Sequence, residues 1–466
     1  MVGGSVAGLA TALALGRAGH PVTIVERDVI PFVDTPEAAF ATERAGAPQA
    51  HQTHGLLARL MLELRDHYPD VLDALVAAGA YALPMTAELG DPQPGDEDLY
   101  VLIARRTTLE WALRRAALEQ PNVELRSGEG VAGLVVRADG PTPQVVGVRL
   151  ASGEVVDGDV VATTGRRGDV PAWLAAGGVE IAEEVHDTEY MYLTRWYRLP
   201  PGLDTNIGSG ERIAGDLGYL KYMAVPGDGG TLSATLAIRA DDAALRKALL
   251  DPDHFDHACG LLPGPSRFFG VAGLEPIGVV RPMGGLINRL RRFLGEDGAP
   301  RMLGFHAVGD AHTCTNPLYG RGCSLALVQA TLLAEAYAQH PDDPAARASA
   351  YEAASAREVE PWFHYAVQMD QLGRNRAGPG GAPDPFAIVF AAGATDPVIG
   401  RAILRVFNLL MLPDVLATDA DFLGRVATVL ADPASAALVG ANPGPTRAEL
   451  LDALGTLDSR DVGVEA

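Results

Sequence analysis

The residues with the clearest chemistry stand at the front of the chain. Gly3-Gly4-Ser5-Val6-Ala7-Gly8 has the spacing of a glycine-rich phosphate loop, G-x-G-x-x-G, with Ser5 at the middle glycine. The chemistry needs small residues here. The turn is tight, the backbone approaches a pyrophosphate, and the helix packs close to a strand. A helix opening at this loop turns unpaired N–H groups and the positive end of its dipole toward phosphate. Glu26 ends the next apolar run, with Arg27 beside it. That is where a dinucleotide ribose is expected to find a hydrogen-bond acceptor.

A second, distant motif separates NAD from FAD. The apolar run from Met302 ends in Gly309-Asp310, and Asn316-Pro317-Leu318-Tyr319-Gly320-Arg321-Gly322-Cys323-Ser324-Leu325 opens a helix. With these residues the sequence resembles the class A flavoprotein monooxygenases, the family of para-hydroxybenzoate hydroxylase and squalene epoxidase. The resemblance implies FAD, with Asp310 on the ribityl chain. It also implies that Pro317, Gly320 and Gly322 set a helix N-terminus, with Cys323 in its first turn, beside the flavin pyrimidine ring. The physical logic stands without the family. Reduced flavin carries negative charge near N1 and C2=O, which backbone donors and a helix dipole favour.

Two further segments extend the resemblance. Arg106-Thr107-Thr108-Leu109 is similar to the family's Arg-x-x-Leu, whose arginine reaches the FAD ribose and pyrophosphate; Arg105 is the rival for that role. Residues 158–167 resemble the strand that closes the FAD domain, with Ala162 where an acidic residue is expected. This leaves the electron source open between NAD(P)H and a separate flavin reductase. Residues 48–57 and Glu360-Pro361-Trp362 resemble a branch of epoxidases and hydroxylases from secondary metabolism.

Other candidates carry less. His51 and His54 sit at an expected helix start without a Glu or Cys at metal spacing, so they are read as lining the flavin cavity or capping the helix, and no metal site is expected. His312 either faces the flavin or lies on a surface loop. Strand alternation puts Tyr190, Tyr192, Thr194 and Trp196 on one face, as a pocket wall or as sheet core. His54, Tyr192, Trp196 and Tyr222 are the substrate-pocket candidates. Arg195 and Arg198 are read as a solvated face.

The elements that must position these residues follow from periodicity. Helices are predicted at 6–18, 54–66, 70–78, 107–119 and 322–339. Buried strands are predicted at 21–26, 99–104, 159–164 and 302–310, and a meander of short strands at 123–156. Aromatic and β-branched runs between 183 and 280 read as an antiparallel sheet. Beyond Pro344 the chain reads as helical, broken at 378–385. The expected fold is α/β: a Rossmann-like FAD-binding domain from residues 1–180 and 281–375, an inserted, mainly antiparallel β substrate domain at 181–280, and a C-terminal helical region at 376–466. Only Met1 and Val2 precede the glycines, so the start reads as trimmed and a frayed first strand is expected.

Composition narrows the partners. The 466 residues carry a formal net charge of −22, which argues against nucleic acid and against stable membrane association. The longest apolar stretch, 386–417, is interrupted by Asp396, Pro397, Arg401, Arg405 and Pro413, so it supplies no continuous span. Cys259, Cys314 and Cys323 form no disulfide framework, as expected in the cytoplasm. The cofactor implies the reaction: reduced FAD and O2 give a C4a-hydroperoxide, which passes one oxygen atom to an apolar small-molecule substrate. A flavin halogenase is discounted, because no lysine precedes Lys221 and no Trp-x-Trp occurs. A non-oxygenating flavoprotein remains the alternative.

Overall fold

The computed structural model describes residues 1–203, 213–375, 385–439 and 444–461. The predicted helix break at 378–385 therefore lies almost wholly outside the described residues. Strands Val123–Ser127, Val22–Glu26, Val160–Ala162 and Phe305–Ala307 run parallel, with Val2 bridging Val25 on one side and Ala162 on the other. Two residues do the work of a whole central strand. Val2 N donates to Val161 O, Gly3 N to Val25 O, and Thr163 N to Val2 O, each at 2.9 Å. The front of the chain is thus laddered on both sides, not frayed as its shortness suggested.

Apolar residues on both faces make this a three-layer unit, as a buried parallel sheet requires. Helices Val6–Arg17, Arg106–Leu118 and Gly322–Gln339 cover one face through Leu9, Leu13, Leu109, Leu113 and Leu327. The antiparallel meander Val131–Arg137, Gln144–Leu150 and Val155–Asp157 covers the other through Val145, Val148 and Leu150.

The inserted sheet has five antiparallel strands, in the order Ala214–Asp216, Leu220–Gly227, Thr231–Arg239, Tyr190–Arg198, Glu275–Met283. Its outer face buries Leu193, Tyr197, Tyr222 and Leu236 against Phe255, Ala258, Leu450 and Leu454. The last two belong to helix Arg447–Asp461. The end of the chain therefore returns to close the sheet, apart from the other C-terminal helices. Among the described residues no helix is long and apolar enough to cross a membrane.

A buried ion pair ties the sheet to the parallel unit. Asp228, at the tip of a sheet hairpin, accepts from Arg105 N at 2.6 Å, Arg105 Nη2 at 2.6 Å and Thr108 Oγ1 at 2.7 Å. It thereby caps helix Arg106–Leu118 with a carboxylate, the charge a helix N-terminus favours. Arg105 also lies over the Phe40 ring at 4.9 Å. Removing Asp228 leaves the buried Arg105 only the exposed Glu37, 3.2 Å from Nη2. Asp228→Ala is expected to lower unfolding free energy by about 3–5 kcal/mol, read by urea denaturation. The double replacement Arg105→Met with Asp228→Leu should lose distinctly less. Equal losses would mean that packing, not charge pairing, holds the junction.

Candidate active site

Ser5 precedes helix Val6–Arg17 but does not cap it with its side chain. Its hydroxyl donates to Glu110 Oε2 and accepts from Arg106 Nη2, both at 2.8 Å. The helix's first-turn N–H groups are left without a side-chain cap, as an anion site requires. The glycines let the loop lie flat. Gly3 has φ +109°, and a Cβ there would meet Thr163 O at 2.6 Å; a Cβ on Gly8 would overlap Gly3 O. Glu26 is buried at the end of its strand. It accepts from Gly4 N at 2.8 Å, Asp28 N at 2.9 Å and Arg44 Nη2 at 3.0 Å. Arg27 is exposed, against Gly46.

Gly309 begins the Gly-Asp turn at φ +65°, and a Cβ on it would come within 2.9 Å of the Ala7 side chain. The two glycine motifs, about 300 positions apart in sequence, are thus in contact. Asp310 is half-buried, and burial raises its carboxyl above the ordinary range against the pull of Arg166, Arg106 and Arg289. Its Oδ1 is 3.9 Å from where a Gly322 Cβ would stand. Cys323 follows in the first turn, its thiol raised by burial and lowered by Arg106. Arg106 also acts on His54, whose imidazole is pushed down to about 3, chiefly by burial. Arg106, not Arg105, is therefore the arginine that the fingerprint, Asp310, Cys323 and His54 share.

The Asn316–Gly322 loop is held from behind. Asn316 Nδ2 and Tyr319 OH donate to Asp370 Oδ1 at 2.8 and 2.7 Å, and Asn288 Nδ2 donates to Asp370 Oδ2 at 2.7 Å. Tyr192 OH donates to Asn316 Oδ1. Gly320, at φ +67°, abuts Gly55, while Pro317 faces outward. Fully bonded polar networks of this kind fix one backbone geometry.

The inner sheet face meets the loop around His51 and His54. Pro48–His51 is a 3-10 turn and the following helix spans Ala58–His67, so both histidines precede the helix. Thr194 Oγ1 donates to Gln52 Oε1 at 2.6 Å, Trp196 Nε1 donates to His51 O at 2.7 Å, and the Thr53 and Thr235 hydroxyls are 2.8 Å apart. Tyr192 and Trp196 are therefore committed to holding loops. Tyr222 needs a correction: it pairs with Leu236, which pairs with Leu193, and so lies on the outer face, away from Tyr192. His312 is also corrected. It is buried, with its ring against Glu352 Oε2 at 3.2 Å and Thr313 Oγ1 at 2.7 Å. Arg195 is buried too, paired with Asp256 at 2.8 Å, while Arg198 is exposed. Ala162 is enclosed between Val2 and Ala307, where an acid would enter the sheet core and not the groove.

Sequence reasoning missed Arg44. Its guanidinium reaches Glu26, Asp28 and Glu110 from a loop without periodicity, and no spacing rule marks it. Arg44 Nε, Arg106 Nη1 and Arg114 Nη2 are buried donors without a hydrogen-bond partner. Such atoms call for an acceptor. A pyrophosphate at the Val6–Arg17 helix N-terminus would supply one, so the donor set fits a dinucleotide. A pocket lined by Ile30, Phe32, Trp111 and Arg114 opens beside Arg44 and Glu110.

The fold is shared with solved structures of flavin-dependent enzymes. No family model matches the chain. Among solved structures, p-nitrophenol 4-monooxygenase PnpA from Pseudomonas putida superimposes with a TM-score of 0.61 at 19% identity, covering 88% of this chain and 96% of that one. The flavin-dependent brominase Bmp2 gives 0.59 at 19% identity, covering 91% and 98%. In sequence, the protein Rv3254 of Mycobacterium tuberculosis is 29% identical over 460 residues, 89% of this chain and 91% of that protein.

The close approach at the fingerprint is directly testable. Gly8→Ala must push the helix off the strand, and overpacking costs about 1–3 kcal/mol or more. Gly4→Ala meets only the Glu26 and Ile24 side chains at 3.3–3.5 Å and should be far milder. Thermal melts that rank the two variants the other way would contradict this packing.

Proposed function

We propose that this chain is an FAD-dependent monooxygenase, an epoxidase or hydroxylase of secondary metabolism, that puts one atom of O2 into an apolar small molecule. The observation that carries the reading is the contact between the two glycine motifs, Gly3–Gly8 and Gly309–Asp310, with Arg106 bonded to Ser5 and acting on Asp310. Bound FAD would supply electron transfer and oxygen activation, with electrons from NAD(P)H or a flavin reductase.

The chain's own residues do the remaining work. The helix N-terminus at Val6, with Arg106 and Arg44, binds the pyrophosphate, and the pocket by Ile30 and Trp111 takes the adenine. Asp310 accepts from ribityl hydroxyls. The backbone at Gly320–Cys323 donates to the pyrimidine edge, held in register by the Asp370 network. The substrate lies between that loop and the inner sheet face, where Tyr190, Met283, Leu286 and Leu318 form an apolar wall that excludes water. Tyr192 and Trp196 orient the wall through the loops they hold.

Purified protein should release free FAD on denaturation. Asp310→Ala should raise the FAD dissociation constant at least tenfold, whereas His312→Ala should lower the melting temperature with a much smaller effect on FAD affinity. Alike FAD constants in the two variants would remove Asp310 from its assigned role. Oxygen uptake coupled to a product heavier by one oxygen atom identifies the monooxygenase; reductant turnover without such a product favours the non-oxygenating alternative.

A further inference from the structure

Arg321 immediately precedes helix Gly322–Gln339 and is among the largest fully buried side chains of the protein, at 2% exposure. Three rings surround its guanidinium. Cζ lies 4.7 Å from the centre of Tyr319, 4.8 Å from Tyr365 and 5.3 Å from Trp362. Nη1 donates to Trp362 O at 3.4 Å, and Nε has no hydrogen-bond partner. Among the described residues no carboxylate lies within ion-pair distance of it. Asp370 acts on it only at longer range, and its oxygens accept from Asn288, Asn316 and Tyr319. Burial lowers the guanidinium to about 10, so the charge persists at neutral pH.

This placement is doubly unfavourable for the chain alone. A buried cation without a counterion is destabilising. A cation at a helix N-terminus also repels the positive end of the dipole. The aromatic faces hold the charge by cation–π attraction, and unlike a carboxylate they do so without cancelling it. The field of Arg321 and that of the helix N-terminus therefore add at the Gly320–Cys323 backbone.

We propose that Arg321 is an electrostatic tuning residue: a caged, unneutralised cation that favours negative charge on the pyrimidine edge of the bound flavin and so raises its reduction potential. This rests on the FAD reading above. It gives the aromatic residues Tyr319, Trp362 and Tyr365 a role that apolar packing does not require, since leucines would fill the same space without supporting a charge.

The test uses FAD-loaded protein and two readouts that do not depend on turnover. One is the midpoint potential. The other is the dissociation constant of inorganic sulfite, which adds to flavin N5 with its electron pair and leaves negative charge at N1. Arg321→Met should weaken sulfite binding about tenfold and lower the two-electron potential by about 30 mV. Arg321→Lys should stay within about twofold of the parent. Should Arg321→Met fail to fold, Tyr365→Glu sets a carboxylate beside the intact arginine and should produce the same losses, with the uncharged Tyr365→Gln as the control that should not. Unchanged sulfite affinity and potential in a charge-removing or charge-cancelling variant that binds FAD would overturn this inference. Absence of FAD from the parent protein would instead overturn the cofactor reading.

Discussion

Helix Val6–Arg17 lies against the strand that precedes it because Gly8 and Gly3 leave no side chain between them; a Cβ on Gly8 would overlap the Gly3 carbonyl oxygen. Everything at the site inherits that separation. It brings Ser5 to Arg106 and Glu110, and it brings Ala7 within reach of Gly309. Val2, laddered on both edges, fixes the height of the loop above the sheet. A helix displaced outward would separate the two glycine motifs, and Arg106 would lose one of its neighbours.

Two adjacent arginines divide the labour at the next helix. Arg105 turns toward the inserted sheet and is sealed against Asp228, while Arg106 turns toward Ser5 in the glycine loop. One helix start thus fastens the sheet and bonds the glycine loop, so the spacing between the inserted sheet and the parallel unit is set by a single turn of backbone. The hydroxyl chain through Gln52, Thr53, Thr194 and Thr235 adds a second fastening on the same interface.

What the sequence made legible follows the reach of local rules. The helix read at 322–339 is found at Gly322–Gln339, because a glycine-rich start and a long apolar run are both local signals. The two glycine motifs were legible for the same reason. Arg44 was not: its partners lie 18 and 66 positions away, and only the folded loop brings them together. Asp228 and Asp370 were missed likewise, since a lone acid in a turn or a helix reads as solvent-facing until its partners are known. Tyr222 shows a different limit. Its strand alternates in burial, with Leu220, Tyr222 and Ala224 on one side. Periodicity gives two faces, but not which of them meets the parallel unit.

The inserted sheet has a consequence for how its two faces can change. Along Tyr190–Arg198, the odd-numbered Leu193 and Tyr197 belong to the outer core, while Tyr192, Thr194 and Trp196 face the loops they bond. Neighbouring positions in the gene therefore answer to separate selective pressures. A mutational library confined to every second codon of this strand would change how the loops are held and leave the sheet's outer core untouched. Diversification of this protein would then appear as an alternating pattern of variable and constant sites.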